Sequence, residues 1–162
     1  MANRIFKETQ SYAGTWVMYL IVLIELPTLL FLIVLYATSE DKQELAIALG
    51  VVLGTMALLL LFVLNLKLET RIDSESVAFR YAPFIRKWRK YPKEQIKSIT
   101  VIKYSPIADY GGWGIKGNKT TKAYSVIGED GLLMDVGEKK KIMIGTMKSK
   151  ELSDFLQNWI EE

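Results

Sequence analysis

The chain has 162 residues, half of them hydrophobic, with no Cys, no His, 21 Lys and Arg against 18 Asp and Glu, and a mean hydropathy of +0.15. That length allows one domain, or a smaller domain plus an accessory segment. Without Cys there is no disulfide, thiolate metal site, iron–sulfur cluster or Cys nucleophile. Without His there is no Ser-His-Asp triad, and the commonest transition-metal ligand is missing. No cofactor and no metal are expected.

Charge and apolar residues are segregated. Residues 1–66 carry three basic and five acidic side chains, net −2; residues 67–162 carry 18 and 13, net +5. The first apolar run, 15–37 (TWVMYLIVLIELPTLLFLIVLYA), holds one charge in 23 residues. The second, 45–66 (LAIALGVVLGTMALLLLFVLNL), holds none in 22. A helix rises about 1.5 Å per residue, so about 20 residues cross a hydrocarbon core roughly 30 Å thick. Neither run has a polar stripe at helical spacing, as a soluble bundle would need. The first is too long for a signal-peptide apolar region, and no small-x-small cleavage site follows it. The short polar linker 38–44 (TSEDKQE) predicts an antiparallel transmembrane hairpin.

Basic residues orient the hairpin. Arg4 and Lys7 precede it, Lys67 and Arg71 follow it, and the linker has only Lys42 among three acids. By the positive-inside rule both termini are cytoplasmic, with 1–14 as a cytoplasmic N-terminal segment. Tyr12, Trp16 and Tyr36 fall where interfacial aromatic belts lie. In a bacterium this is a multi-pass protein of the inner membrane.

Within the hairpin, Glu25 lies mid-span, where a carboxylate is costly and calls for a polar partner. Thr55 lies at similar depth on the second run. Gly50 and Gly54 form a GxxxG that permits close helix approach. The expectation is that Glu25 packs across this groove and hydrogen-bonds near Thr55, gluing the helices. The competing reading is a proton or ion relay, which two helices could build only as an oligomer through Gly50 and Gly54. Pro27 should kink the first helix.

Residues 67–162 alternate short extended runs with turn signals. Runs are expected over 67–72, 77–82, 84–91, 95–104, 122–127, 132–136 and 141–144, with 105–118 as a long loop. Gly128-Glu129-Asp130-Gly131 reads as a hairpin turn. Leu152, Phe155, Leu156, Trp159 and Ile160 form one apolar helical face, capped by Thr146 or Ser149. Seven antiparallel strands closed by a C-terminal helix is the arrangement of a pleckstrin-homology (PH) domain. The fold class is thus an α+β membrane protein.

The stretch YGGWGIKG (110–117) and the segment AYSVIGEDGLLMDVGEKKKIMIGTMKSKELSDFL (123–156) carry a resemblance. A glycine–tryptophan loop precedes an extended run, and Gly145-Thr146 followed by Leu152 leads into the last helix. In this the chain resembles small, uncharacterised bacterial two-span membrane proteins with a C-terminal PH-like domain. The resemblance covers most of 67–162 and the two-span layout. It implies a fold and a location, and no activity.

The remaining motifs are weighed against plainer readings. Residues 112–117 (GWGIKG) match GxGxxG, but Ser105-Pro106 breaks the chain before them and a β-like run follows, so the dinucleotide context is missing. Read as a P-loop, the same segment has Asn118 pushing Lys119 out of register. Tyr110 and Trp113 either dip into lipid headgroups or pack on their own domain. The densest basic cluster is Arg86, Lys87, Trp88, Arg89 and Lys90. In a strand Arg86, Trp88 and Lys90 share one face and Lys87 and Arg89 the other. It reads as a membrane-surface or partner-binding strand, or as an edge guarded by charge. Lys139-Lys140-Lys141 reads as a solvated hairpin tip.

No catalytic set emerges, and the scattered turn acids have no reason for a shifted pKa. The function expected is a non-enzymatic integral membrane protein presenting a PH-like domain at the cytoplasmic face, an accessory module binding a protein or lipid surface. The alternative is an oligomeric transport or channel-type subunit using Glu25. Partners expected are the bilayer and a membrane or cytoplasmic protein, with no nucleic acid.

Overall fold

The structure, a computed structural model, describes residues 4–161. The chain divides into two compact units. One is Tyr12–Asn65; the other joins the segment before Tyr12 to everything from Leu66 onward. The boundary at the N-terminal side departs from expectation. Residues 6–11, expected in a segment separate from the 67–162 domain, form a strand of it, β1 (Phe6–Ser11).

The first unit contains α1 (Trp16–Thr38) and α2 (Lys42–Asn65), both long and apolar enough to cross a membrane. The turn between them is shorter than the polar composition suggested, because Lys42 and Glu44 already lie in the helix. The helical assignment of α1 runs through Pro27 without a break. Neither helix has a fully buried residue. Val17, Ile21, Glu25, Leu29 and Leu32 are half-buried in one stripe of α1. Leu45, Leu49, Val52, Met56, Leu60 and Val63 form the matching stripe of α2. These spacings of three and four residues are those of a helix packed along one line.

The second unit is built on two sheets. The first has the order β1-β2-β3-β4, all antiparallel, with β2 (Lys67–Asp73), β3 (Ser76–Ala82) and β4 (Ile85–Pro92). β2 alternates. Leu68, Thr70 and Ile72 are buried while Lys67 and Arg71 are exposed, the period-two pattern of a sheet covered on one side. β1 obeys the same rule with unusual inward residues, Phe6, Glu8 and Gln10. Gln10 Nε2 donates to Gly145 O at 2.7 Å. Glu8 accepts from Thr146 and Met147. Those bonds satisfy Gln10 Nε2 and both Glu8 oxygens, which would otherwise be costly inside, and leave Gln10 Oε1 without a partner among the described residues.

The second sheet has the order β5-β8-β9-β7-β6. Its strands are β5 (Ser98–Lys103), β6 (Gly114–Gly117), β7 (Thr121–Ser125), β8 (Asp130–Asp135) and β9 (Lys141–Thr146). The expected seven antiparallel strands are therefore nine among the described residues, in two sheets, and β7 pairs with β9 in parallel. The Gly128–Gly131 turn is not a hairpin. β9 lies between β7 and β8, so the chain steps past one position and then fills it. Gly128 makes that turn with φ of +100°, which a side chain would resist. The expected long loop is also structured, into α3 (Pro106–Tyr110) and β6.

The last element is α4 (Ser149–Glu161). Thr146 Oγ1 accepts from Lys148 N at 3.0 Å, just ahead of it. Leu152, Leu156 and Trp159 are buried, as the spacing predicted, and Phe155 is half-buried with its ring 6.1 Å from that of Phe6. Ile160 is exposed instead. Trp159 Nε1 donates to Asp73 O at 2.7 Å and fixes the helix to the end of β2. Phe79, Tyr81, Leu132, Ile142 and Ile144 lie in the interior between the layers.

Candidate functional site

β4 is an edge strand, and it carries the basic cluster. Arg86, Lys87, Trp88, Arg89 and Lys90 are all exposed. The alternation expected from the sequence is observed in their contacts. Trp88 lies on the outer face, where the Arg80 guanidinium sits 4.9 Å from its ring centroid. Arg80 is held by Glu69, whose Oε2 lies 2.7 Å from both Nε and Nη2. Glu69, Arg80 and Trp88 thus form a row across β2, β3 and β4. The ion pair is half-exposed and worth little alone. Its effect is to hold a cation over the indole face.

A second row lies beside it. Lys7 pairs with Arg71, Arg71 with Ala78, and Ala78 with Lys90. Three cations from three strands therefore share one line on the outer face, with the small Ala78 between two of them. A shallow depression there is lined by Lys7, Thr9, Glu69, Arg71 and Trp88. Lys7, Glu69, Arg71 and Arg80 were not among the binding residues expected from the sequence. Their signal is the alternation in KLETRID and FKETQS, which places K, E and R on one face once the strands are paired.

Arg89 belongs to the other row. Its Nη1 donates to Tyr124 OH at 2.9 Å, and its guanidinium lies 5.8 Å from the Tyr124 ring. This joins the β4 edge to β7. Burial pushes the Tyr91 hydroxyl above its usual range, and the negative charge of Glu138 adds to the rise.

Tyr110 and Trp113 do not join the β4 cluster by any of these contacts. Tyr110 is half-buried, with its ring 5.7 Å from that of Tyr104. Its hydroxyl is pushed up by burial. Trp113 is half-buried and donates from Nε1 to Gly128 O at 2.9 Å. Both side chains pack on their own domain.

In the helical unit the expected Glu25–Thr55 bond is absent. Thr55 Oγ1 donates to Val52 O of its own helix at 2.8 Å. Gly50, Gly54 and Thr55 are exposed and lie off the half-buried stripe of α2. A Cβ built on Gly50 or Gly54 would meet nothing within 4 Å. The reason is rotational: Gly50 and Gly54 each stand one or two residues from a stripe position, about 100° or 200° around the helix. Glu25 does lie on the α1 stripe, and its Oε1 is buried with no hydrogen-bond partner.

Among the described residues no group of three or more Asp and Glu side chains could hold a metal ion. No family model, no curated protein and no solved structure matches the chain.

Proposed function

We propose that the chain is a non-enzymatic integral membrane protein. Its two helices anchor a PH-like domain at the cytoplasmic face of a bacterial inner membrane, as an accessory module binding a protein or lipid surface through β4. The observation that carries this reading is the place of the hairpin in the sheet. The helices are inserted between β1 and β2, and Ser11 pairs with Lys67. Chain entry and exit are therefore neighbours on one sheet. Helices that leave and return to one sheet cross a bilayer an even number of times, which agrees with the positive-inside assignment.

The domain cannot drift far from its anchor, so the basic strand is held at high effective concentration near headgroups and neighbouring membrane proteins. A second reading, a transport or channel-type subunit, draws on the buried, unbonded Glu25 Oε1. Intramembrane carboxylates mark ion paths as well as helix contacts.

The chain has no Cys, so single cysteines report topology cleanly. Ser39→Cys, between the helices, should react with an impermeant maleimide added outside intact cells. Ser74→Cys, in the β2–β3 turn, should react only after permeabilisation. The chain should also stay in the pellet after alkaline carbonate. Extraction by carbonate, or outside labelling of Ser74→Cys, would overturn the proposal.

A further inference from the structure

The pairing register fixes which parts of the first sheet lie where its chain meets the helices. Ser11, the last residue of β1, pairs with Lys67, the first of β2, and Lys67 pairs with Ala82, the last of β3. The β3–β4 turn, Pro83 and Phe84, therefore sits at this end of the sheet, and the β2–β3 turn, between Asp73 and Ser76, at the other. One residue, Leu66, separates α2 from β2. Paired strand residues lie about 5 Å apart and an extended chain advances about 3.5 Å per residue, so the Phe84 backbone stays within about 20 Å of Asn65, the end of α2. That limit needs only connectivity and register, and it holds at any angle between the two units.

Phe84 is 61% exposed. Among the described residues of the second unit, the exposed large aromatic side chains are Phe84 and Trp88, and both belong to this one stretch of chain. Cations flank the Phe84 position. Lys67 is exposed across the ladder from Ala82, and Arg86 and Lys87 are exposed at the start of β4. The register shifts there: Tyr81 faces Ile85 and Phe79 faces Arg89, so Arg86, Lys87 and Trp88 stand against the single residue Arg80. Such a bulge on an edge strand re-aims side chains that strict alternation would send to opposite faces. A shallow open groove beside them is lined by Pro83, Phe84, Arg86 and Trp88.

We infer that the β3–β4 turn is a further membrane contact of this chain: Phe84 seats in the headgroup region of the cytoplasmic leaflet, with Lys67, Arg86 and Lys87 on the phosphates around it. The inference rests on the membrane-anchored reading above and names the part of the domain that meets lipid. Three observations favour a bilayer over a protein partner. The one-residue tether presents this end of the sheet to the membrane surface at high effective concentration. An exposed apolar ring rimmed by cations matches a surface that is anionic outside and apolar beneath. One ring and one proline offer far less than the roughly 800 Å² per partner of a stable protein interface, yet they need no more when α1 and α2 already hold the chain in the membrane.

Fluorine NMR on the full chain tests this. The six phenylalanines are replaced biosynthetically by para-fluorophenylalanine, which keeps the ring at every position, and Phe84→Leu assigns the signal. The protein is placed in nanodiscs of phosphatidylcholine and phosphatidylglycerol, with a trace of lipid bearing a nitroxide at the top of its acyl chain. Phe62, in the last turn of α2 and 46% exposed, is the control for lipid contact; Phe6 and Phe79, buried in the sheets, are the controls for its absence. The Phe84 signal should lose intensity to the nitroxide lipid as that of Phe62 does, while Phe6 and Phe79 keep theirs. An aqueous gadolinium chelate should spare it. Combining Arg86→Glu with Lys87→Glu, at exposed positions, should remove the loss at Phe84 and leave it at Phe62. A Phe84 signal that the chelate broadens and the nitroxide lipid does not would overturn the inference. Shielding from both agents would put protein on the turn and overturn it as well. A loss that survives the double variant would overturn the role given to the cations. A response at Phe62 without one at Phe84 sinks the turn alone, whereas no response at either sinks the anchored reading with it.

Discussion

The Glu8 carboxylate accepts a hydrogen bond from the Thr146 hydroxyl at 2.6 Å, across 138 residues of sequence. Its other oxygen accepts from Met147 N at 2.7 Å. One buried side chain thereby ties the strand that precedes the helices to the end of β9 and the approach to α4.

Removing that carboxylate should be costly. Glu8→Ala leaves the Thr146 hydroxyl and the Met147 N–H without their acceptor in a buried place. Loss of hydrogen bonds to a charged group is worth about 2–3 kcal/mol. Glu8→Gln keeps an acceptor and should lose about half as much. Urea unfolding in mild detergent, followed by the near-ultraviolet signal of the domain, measures both. Equal stability of Glu8→Ala and the parent would show that β1 is not held by this contact.

Asp73 gives the domain an acid limb. Burial pushes its carboxyl up, but hydrogen bonds from Ser76 Oγ and Glu75 N and the nearby charge of Lys90 outweigh burial and hold it below its usual 3.8. A group whose folded pKa is depressed adds stability above its unfolded pKa and loses it as pH falls through the folded value. Stability should therefore decline as pH drops below about 4. Asp73→Asn should start less stable at neutral pH and decline less steeply on acidification. Denaturation midpoints taken from pH 6 to pH 3 check the two slopes, and parallel slopes would refute the assignment.

Trp88 is 44% exposed and stacks against the surface cation Arg80. Trp88→Ala should shift the unfolding free energy by no more than about 1 kcal/mol, the range of an exposed cation–π contact. Under the proposed function it should nonetheless weaken the capture of neighbouring proteins when native membranes are crosslinked. An unchanged set of captured proteins would remove this face from the binding surface.

The parts of the fold legible in the sequence were those written in apolar periodicity. The two long runs, the Val77–Phe79–Tyr81 face of β3 and the Leu152–Leu156–Trp159 face all appear as read. β1 was not legible, because two of its three inward residues, Glu8 and Gln10, are polar and become buried only when Thr146, Met147 and Gly145 arrive to bond them. The parallel β7–β9 pair was hidden for another reason. Local turn chemistry at Gly128 and Gly131 favours a hairpin, and only tertiary packing puts β9 between the two strands. Gly145 shows how tight that insertion is: a Cβ there would come within 2.9 Å of Ser125 Cβ. Of the candidate site, the basic strand was legible as a charge run.

The insertion of α1 and α2 between β1 and β2 also sets an order of events in synthesis. The ribosome makes β1 two whole helices before it makes the strand that β1 pairs with. Until β2 emerges, the nascent Phe6 and Glu8 have no sheet to enter. Completion of the domain therefore reports that both helices have been made and have brought the chain back to its first strand.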